Sequence, residues 1–140
     1  MIVTAIDVET LDLHVFDKAS VNTLINAVNA SGAVPGLWPL VTFNERGWID
    51  CGMVSSTNAH IAYGYDKVVI LSPMPQKYGL VPSVKKDVSE MQKRAKVSLI
   101  VPDKDSIWAI GKKPYDPTHA ASSAKAPWNR SCLFAPLNII

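Results

Sequence analysis

The run Arg46-Gly47-Trp48-Ile49-Asp50-Cys51-Gly52-Met53-Val54-Ser55-Ser56-Thr57-Asn58 sets how the rest of the chain is read. Gly47 to Ile49 is β-prone and delivers a lone carboxylate, Asp50, to the end of a strand. Gly52, two residues later, permits a sharp backbone turn. The Ser-Ser-Thr-Asn cluster suits the start of a helix through Ala59 to Tyr65, because short polar side chains accept hydrogen bonds from the first free N–H groups. A carboxylate at a strand end, beside a glycine turn and a helix start, is where open α/β sheets place their chemistry. The alternative is that Asp50 only hydrogen-bonds its own turn, as aspartates commonly do.

Working outward, Val41-Thr42-Phe43, Asn44 to Gly47 and Trp48-Ile49-Asp50 form a strand, a short turn and a strand. Ile2 to Val8 and Leu13 to Phe16 suggest a hairpin turning at Glu9 to Asp12. His14 falls on a solvent-facing strand position with no partner at metal-ligand spacing. Ser20 is placed to cap a helix whose apolar face is Val21, Leu24, Ile25 and Val28, ending near Ser31-Gly32 ahead of Val34-Pro35-Gly36. Downstream, Lys67 to Ser72 has the pattern of a strand buried on both faces. Val84, Val88, Met91 and Ala95 make a helical face, and Val97 to Val101 is the next buried strand. A connection of that length argues for a parallel crossover. Asp103 or Asp105 caps a short helix through Ile107 to Ile110 that Gly111 ends, and Thr118 to Lys125 fits a last helix stopped by Pro127.

Three ordered segments carry a family resemblance: Ala30-Ser31-Gly32-Ala33-Val34-Pro35-Gly36, then Asp50-Cys51-Gly52, then Asn58-Ala59 with Ala62-Tyr63-Gly64-Tyr65-Asp66-Lys67-Val68. They resemble the later half of bacterial patatin-like phospholipases, and the likeness reaches back to Thr4 to Thr10 and forward to Val101-Pro102-Asp103 and Asp116-Pro117. The resemblance implies an α/β fold, part of a three-layer α/β/α sandwich with a mostly parallel sheet. In that reading residues 1–117 are the C-terminal part of the domain and 118–140 a divergent tail. It also implies a serine–aspartate dyad, with Asp50 as the general base that activates the serine directly. Lipid or ester is the implied substrate, and neither cofactor nor metal is implied. The serine elbow Gly-x-Ser-x-Gly is missing: Val34 stands between Gly32 and Gly36 where the serine would be. Ser31 is not a substitute, since it sits at a helix end without the strand–turn–helix context of an elbow. His60 is read as an exposed helix residue, because a dyad needs no histidine.

Composition excludes several other classes. Apolar residues make up 48% and charged residues 19%, so the chain is globular rather than disordered. Its net charge is +2 with dispersed lysines, and no basic stripe interleaved with aromatics speaks for nucleic acid. No apolar run approaches a transmembrane span, and Asp7 and Glu9 interrupt the N-terminal apolar stretch that a signal peptide would need. Two distant cysteines, Cys51 and Cys132, argue against a disulfide framework and for a cytoplasmic location. A partial sandwich would leave a sheet edge uncovered, so self-association is expected.

Two features flank the proposed base. Leu37-Trp38-Pro39-Leu40 is an apolar loop read as packing over the catalytic entrance; the alternative is acyl-chain or membrane-surface contact, with Leu37 and Trp38 as the candidate substrate-binding residues. Cys51 stands where the family has glycine. A positive φ there would strain cysteine, whereas a negative φ would let the thiol pack under the turn, so that Cys51→Gly should not lower stability. A nucleophilic role is disfavoured, because the neighbouring Asp50 opposes a second negative charge.

Overall fold

A computed structural model describes residues 1–20, 23–77, 79, 81 and 83–128. Contacts divide the chain into two compact units, Met1–Asn58 with Lys77–Pro82, and Ala59–Gln76 with Ser83–Ile140.

The first unit is built on a four-stranded sheet with β1 (Val3–Asp7) and β4 (Arg46–Asp50) in the middle, and β2 (Leu13–Phe16) and β3 (Val41–Phe43) at its edges. The β1–β2 and β3–β4 hairpins fall where alternation and turn residues put them. The tight turn at Asn44 and Glu45 holds both residues at positive φ, 53° and 58°, matching the twist of the flanking strands. One expectation fails here. The resemblance implies a mostly parallel sheet, with Ile2 to Val8 among its parallel strands, but β1 pairs antiparallel on both sides, with Ala5 opposite both His14 and Asp50. Sheet pairing among the described strands is thus mostly antiparallel. The hairpin at Glu9 to Asp12 fixes β1's first neighbour, and periodicity in β1 could not reveal the second.

The turn of that first hairpin has its own anchor. Asp7, buried at the end of β1, accepts the N–H groups of Glu9 (2.9 Å) and Thr10 (3.4 Å) and an Arg46 guanidinium N–H at 2.6 Å. These donors, the Glu9 amide foremost, hold the carboxyl below its ordinary value and outweigh the penalty of burial.

Helix α1 (Leu24–Ser31) covers one face of this sheet. Its cap is Thr23, whose side chain accepts from Asn26 N–H; Ser20 instead closes a turn with Asp17. The apolar face read from the sequence is the wrong one. Leu24 (53% exposed), Ile25 (71%) and Val28 (52%) point outward, while Ala27 and Ala30 pack against Ala5, Phe16 and Trp48. Large aromatic residues already fill the space above the sheet, so the helix can approach only through its alanines. Val21, also placed on that face, lies outside the described residues.

The second unit joins β5 (Lys67–Leu71) to β6 (Lys96–Ile100) in parallel, with α2 (Val84–Gln92) between them in sequence. Val84 and Met91 are buried and Val88 and Ala95 pack beside them, as the periodicity requires. The strands, however, are not buried on both faces. Ile70 and Val97 face the α2 cluster, whereas Val69 (58%) and Leu71 (69%) are exposed. Apolar sequence cannot distinguish a strand that is covered twice from one covered once. The Ser-Ser-Thr-Asn cluster leads only into a 3-10 turn, Ala59–Ala62, because Gly64 leaves the helical region at φ 98°. Helix α3 (Lys104–Ile110) is capped by Asp103 through Ser106 N–H and stopped by Gly111 at φ 76°. A 3-10 turn, Pro117–His119, leads into α4 (Ala120–Trp128), which runs one residue past Pro127. The remainder of the apolar tail, residues 129–140, lies outside the described residues.

The inverted face of α1 predicts an inverted mutational pattern. Leu24→Ser and Ile25→Ser should change stability by no more than about 0.5 kcal/mol, as surface substitutions do. Ala30→Leu should cost about 1–3 kcal/mol by overpacking. Urea unfolding of the three variants measures the contrast, and a larger loss for Leu24→Ser than for Ala30→Leu would refute this packing.

Candidate active-site aspartate

Asp50 closes β4 and turns directly into a 3-10 turn, Cys51–Met53. Its carboxylate bends forward, so that Oδ1 accepts the Gly52 N–H at 2.6 Å. That curl explains the glycine: a Cβ on Gly52 would lie 3.0 Å from the same oxygen. The sequence therefore encodes a carboxylate that is steered by its own turn, and the turn-bonding and catalytic readings of Asp50 are compatible.

The backbone of Asp50 is equally engaged. Its N–H donates to the Ala33 carbonyl at 3.1 Å, tying the strand end to the segment after α1. Ala30 and Ala33 are both buried. The Ala-Ser-Gly-Ala-Val-Pro-Gly segment and the Asp-Cys-Gly turn are thus brought together in space. From Val34 the chain continues into the apolar loop, with Leu37 N–H and Trp38 N–H both donating to the Val34 carbonyl. Leu37, Trp38 and Leu40 are exposed, and no charged residue lies between Lys18 and Glu45.

Electrostatics at Asp50 favour a base. Partial burial pushes its carboxyl pKa up and outweighs the Gly52 N–H bond, which pulls it down. Asp7 is the instructive contrast in the same sheet, since there a guanidinium and two amides prevail over burial. A carboxylate that is raised holds a proton more readily and is the better general base.

Cys51 points the other way. It is buried, with its Sγ 2.8 Å from Thr4 Oγ1 and accepting from Asn58 Nδ2 at 3.0 Å, and it donates to the Thr4 carbonyl at 3.4 Å. Burial is the main cause that raises its thiol pKa, with the Asp50 charge adding to it. Its φ is not positive, so cysteine is unstrained here. The thiol is packed and hydrogen-bonded within the turn, which reverses the expectation for glycine at this position: removing Sγ would strip Asn58 Nδ2 of its acceptor and leave a cavity. Asn58 itself adopts φ 49°, a conformation that asparagine tolerates better than most residues. Sequence reasoning missed Thr4 and Asn58 as partners of this turn. Asn58 could have been suspected from its motif; Thr4 lies 47 residues from Cys51 and is visible only in the fold.

The other nominated residues are dispersed. Ser31 ends α1, and Ser55 receives the Asn58 N–H at 2.9 Å within the turn. His60 is exposed on its 3-10 turn. His14 is exposed too, but its ring leans on Phe16 and Trp48 at centroid distances of 4.5 and 5.1 Å. Among the described residues no helix is long and apolar enough to cross a membrane. Cys132 lies outside the described residues. No protein-family profile matches the chain, and no curated protein matches it.

The raised pKa of Asp50 has a signed consequence for stability. The folded chain binds this proton more tightly than the unfolded chain, so the charge costs stability once pH rises above the unfolded carboxylate value. Asp50→Asn, which keeps an oxygen for Gly52 N–H, should therefore stabilise the protein at neutral pH. The gain should disappear as pH falls below the unfolded value of 3.8, where both states are protonated. Cys51→Gly should instead lose about 1–3 kcal/mol at every pH, since it empties a buried site and takes the acceptor from the half-buried Asn58 Nδ2. Thermal melts of both variants from acid to neutral pH check the two signs.

Proposed function

We propose that this chain is the aspartate-bearing part of a patatin-like lipid acyl hydrolase. Asp50 acts as the general base toward a serine carried on another segment. The observation that supports this best is the half-buried strand-end carboxylate with a raised pKa, steered by Gly52 N–H and tied by its backbone to Ala33. In this reading Asp50 takes the proton from the serine hydroxyl as its oxygen attacks the ester carbonyl. Asp50 hands that proton to the departing alcohol as the acyl-enzyme forms, and the freed carboxylate then takes a proton from the water that releases the acyl group. The exposed apolar residues Leu37 and Trp38 receive the acyl chain. The β5–α2–β6 crossover is the part of a three-layer sandwich that this chain contributes, and the exposed face carrying Val69 and Leu71 is where the third layer belongs.

A second reading is favoured by one specific feature. No Gly-x-Ser-x-Gly occurs in the sequence, so a catalytically silent patatin-like remnant with an interaction or structural role explains the same fold.

Alone, the chain should show no stoichiometric labelling by a fluorophosphonate probe and negligible turnover of a short-chain p-nitrophenyl ester. Supplied in trans with the serine-bearing segment of a patatin-like hydrolase, it should gain esterase activity that Asp50→Asn lowers about 10²–10⁴-fold. Restored activity that ignores Asp50→Asn would overturn the base assignment. Association of the two polypeptides without turnover would favour the silent reading.

A further inference from the structure

We infer that the outer face of α3 is a membrane-surface docking stripe, formed by Trp108 with Lys104, Lys112 and Lys113, and that it sits on the headgroups of anionic phospholipid. The inner face of this helix is already used. Ala109 is buried, and its carbonyl accepts hydrogen bonds from Ser122 Oγ and Ser123 Oγ at 3.2 Å each, so α4 holds that side. Trp108 consequently faces outward at 81% exposure, with Ile107 exposed next to it. Leaving so large an apolar ring in water gains nothing for the fold.

Cations flank that ring. Lys104 lies one helical turn before Trp108 and on the same side of the helix. Gly111 then ends the helix at φ 76°, and Lys112 and Lys113 follow immediately, both exposed. Two nearby surface carboxylates are engaged by backbone N–H groups: Asp103 accepts Ser106 N–H, and Asp116 accepts Thr118 N–H. Asp105 is exposed one position round the helix from Lys104. An indole between lysines is the composition that settles at the headgroup level, the ring among the upper acyl carbons and the ammonium groups on phosphates. The positive groups select anionic over zwitterionic lipid. The apolar loop at Trp38, uncharged from Lys18 to Glu45, has no such selectivity. The stripe stands independently of the role assigned to Asp50.

Co-sedimentation of the full chain with vesicles of phosphatidylcholine, with and without phosphatidylglycerol, tests this. Binding should require phosphatidylglycerol and weaken with added salt. It should fall about 30-fold for each lysine reversed in Lys104→Glu and Lys112→Glu, since each reversal changes the charge by two. Trp108→Phe should retain the fold by circular dichroism yet lose most of the tryptophan quenching caused by brominated lipid. Equal binding to neutral vesicles, indifference to both lysine reversals, quenching that survives Trp108→Phe, or loss of binding on Trp38→Ala alone would each overturn the proposal. So would preference for a nucleic acid over anionic vesicles.

Discussion

The carboxylate of Asp7 is the contact on which the first unit depends. It ends β1, gathers two amides from the adjoining hairpin turn, and reaches across to Arg46 at the start of β4. One buried anion thereby fixes β1 to the strand on either side of it. The register follows: with Asp7 opposite Trp48, Ala5 falls opposite Asp50, and the Asp50 carboxylate emerges on the face that α1 covers. Removing Arg46 alone would leave a buried charge short of its cation, which costs more than never having had the pair. The two aspartates on β1 and β4 share a sheet and differ in surroundings. One is saturated with donors and holds the fold, and the other is kept short of them.

The same economy of space explains the core. Phe16, Phe43 and Trp48 form a ring cluster with centroids 5.0–5.6 Å apart, filling the volume above the sheet. Only small residues fit between that cluster and the helix, hence Ala27 and Ala30. Amphipathic helices ordinarily bury their largest apolar residues. Here the bulk is supplied by the strands, and Leu24, Ile25 and Val28 remain at the surface as an uncovered apolar patch. On the second unit Val69 and Leu71 are likewise left uncovered.

Much of the local structure was legible in the sequence. Alternation and turn residues located both hairpins, the 3.6 period found the buried face of α2, and Asp103 and Gly111 bracketed α3. What failed depended on neighbours. β1 carries no mark of the strand on its second side, so its antiparallel pairing with β4 came only from the fold. The face of α1 was misread because hydrophobicity ranks leucine above alanine, while the space above Trp48 admits only alanine. β5 is as apolar as a doubly covered strand and is covered once. For the site, the strand-end position of Asp50 was readable; Gly52 was expected for its backbone freedom, whereas its φ is not positive and a Cβ there would instead crowd Asp50 Oδ1. The partners of Cys51 were not, because hydrogen bonds from Thr4 leave no trace in local pattern.

The sealed thiol of Cys51 gives the protein a built-in clock. Its sulfur is shielded by Thr4 and Asn58 and reacts as a thiolate only when the turn after β4 comes away from β1. In a Cys132→Ser background, the rate of maleimide attachment therefore counts openings of this one turn. When closing outpaces the chemistry, that rate divided by the rate for a free thiol is the equilibrium constant for opening. The turn that aims Asp50 can thus have its local stability read apart from the stability of the whole chain, from the mass that each attached maleimide adds.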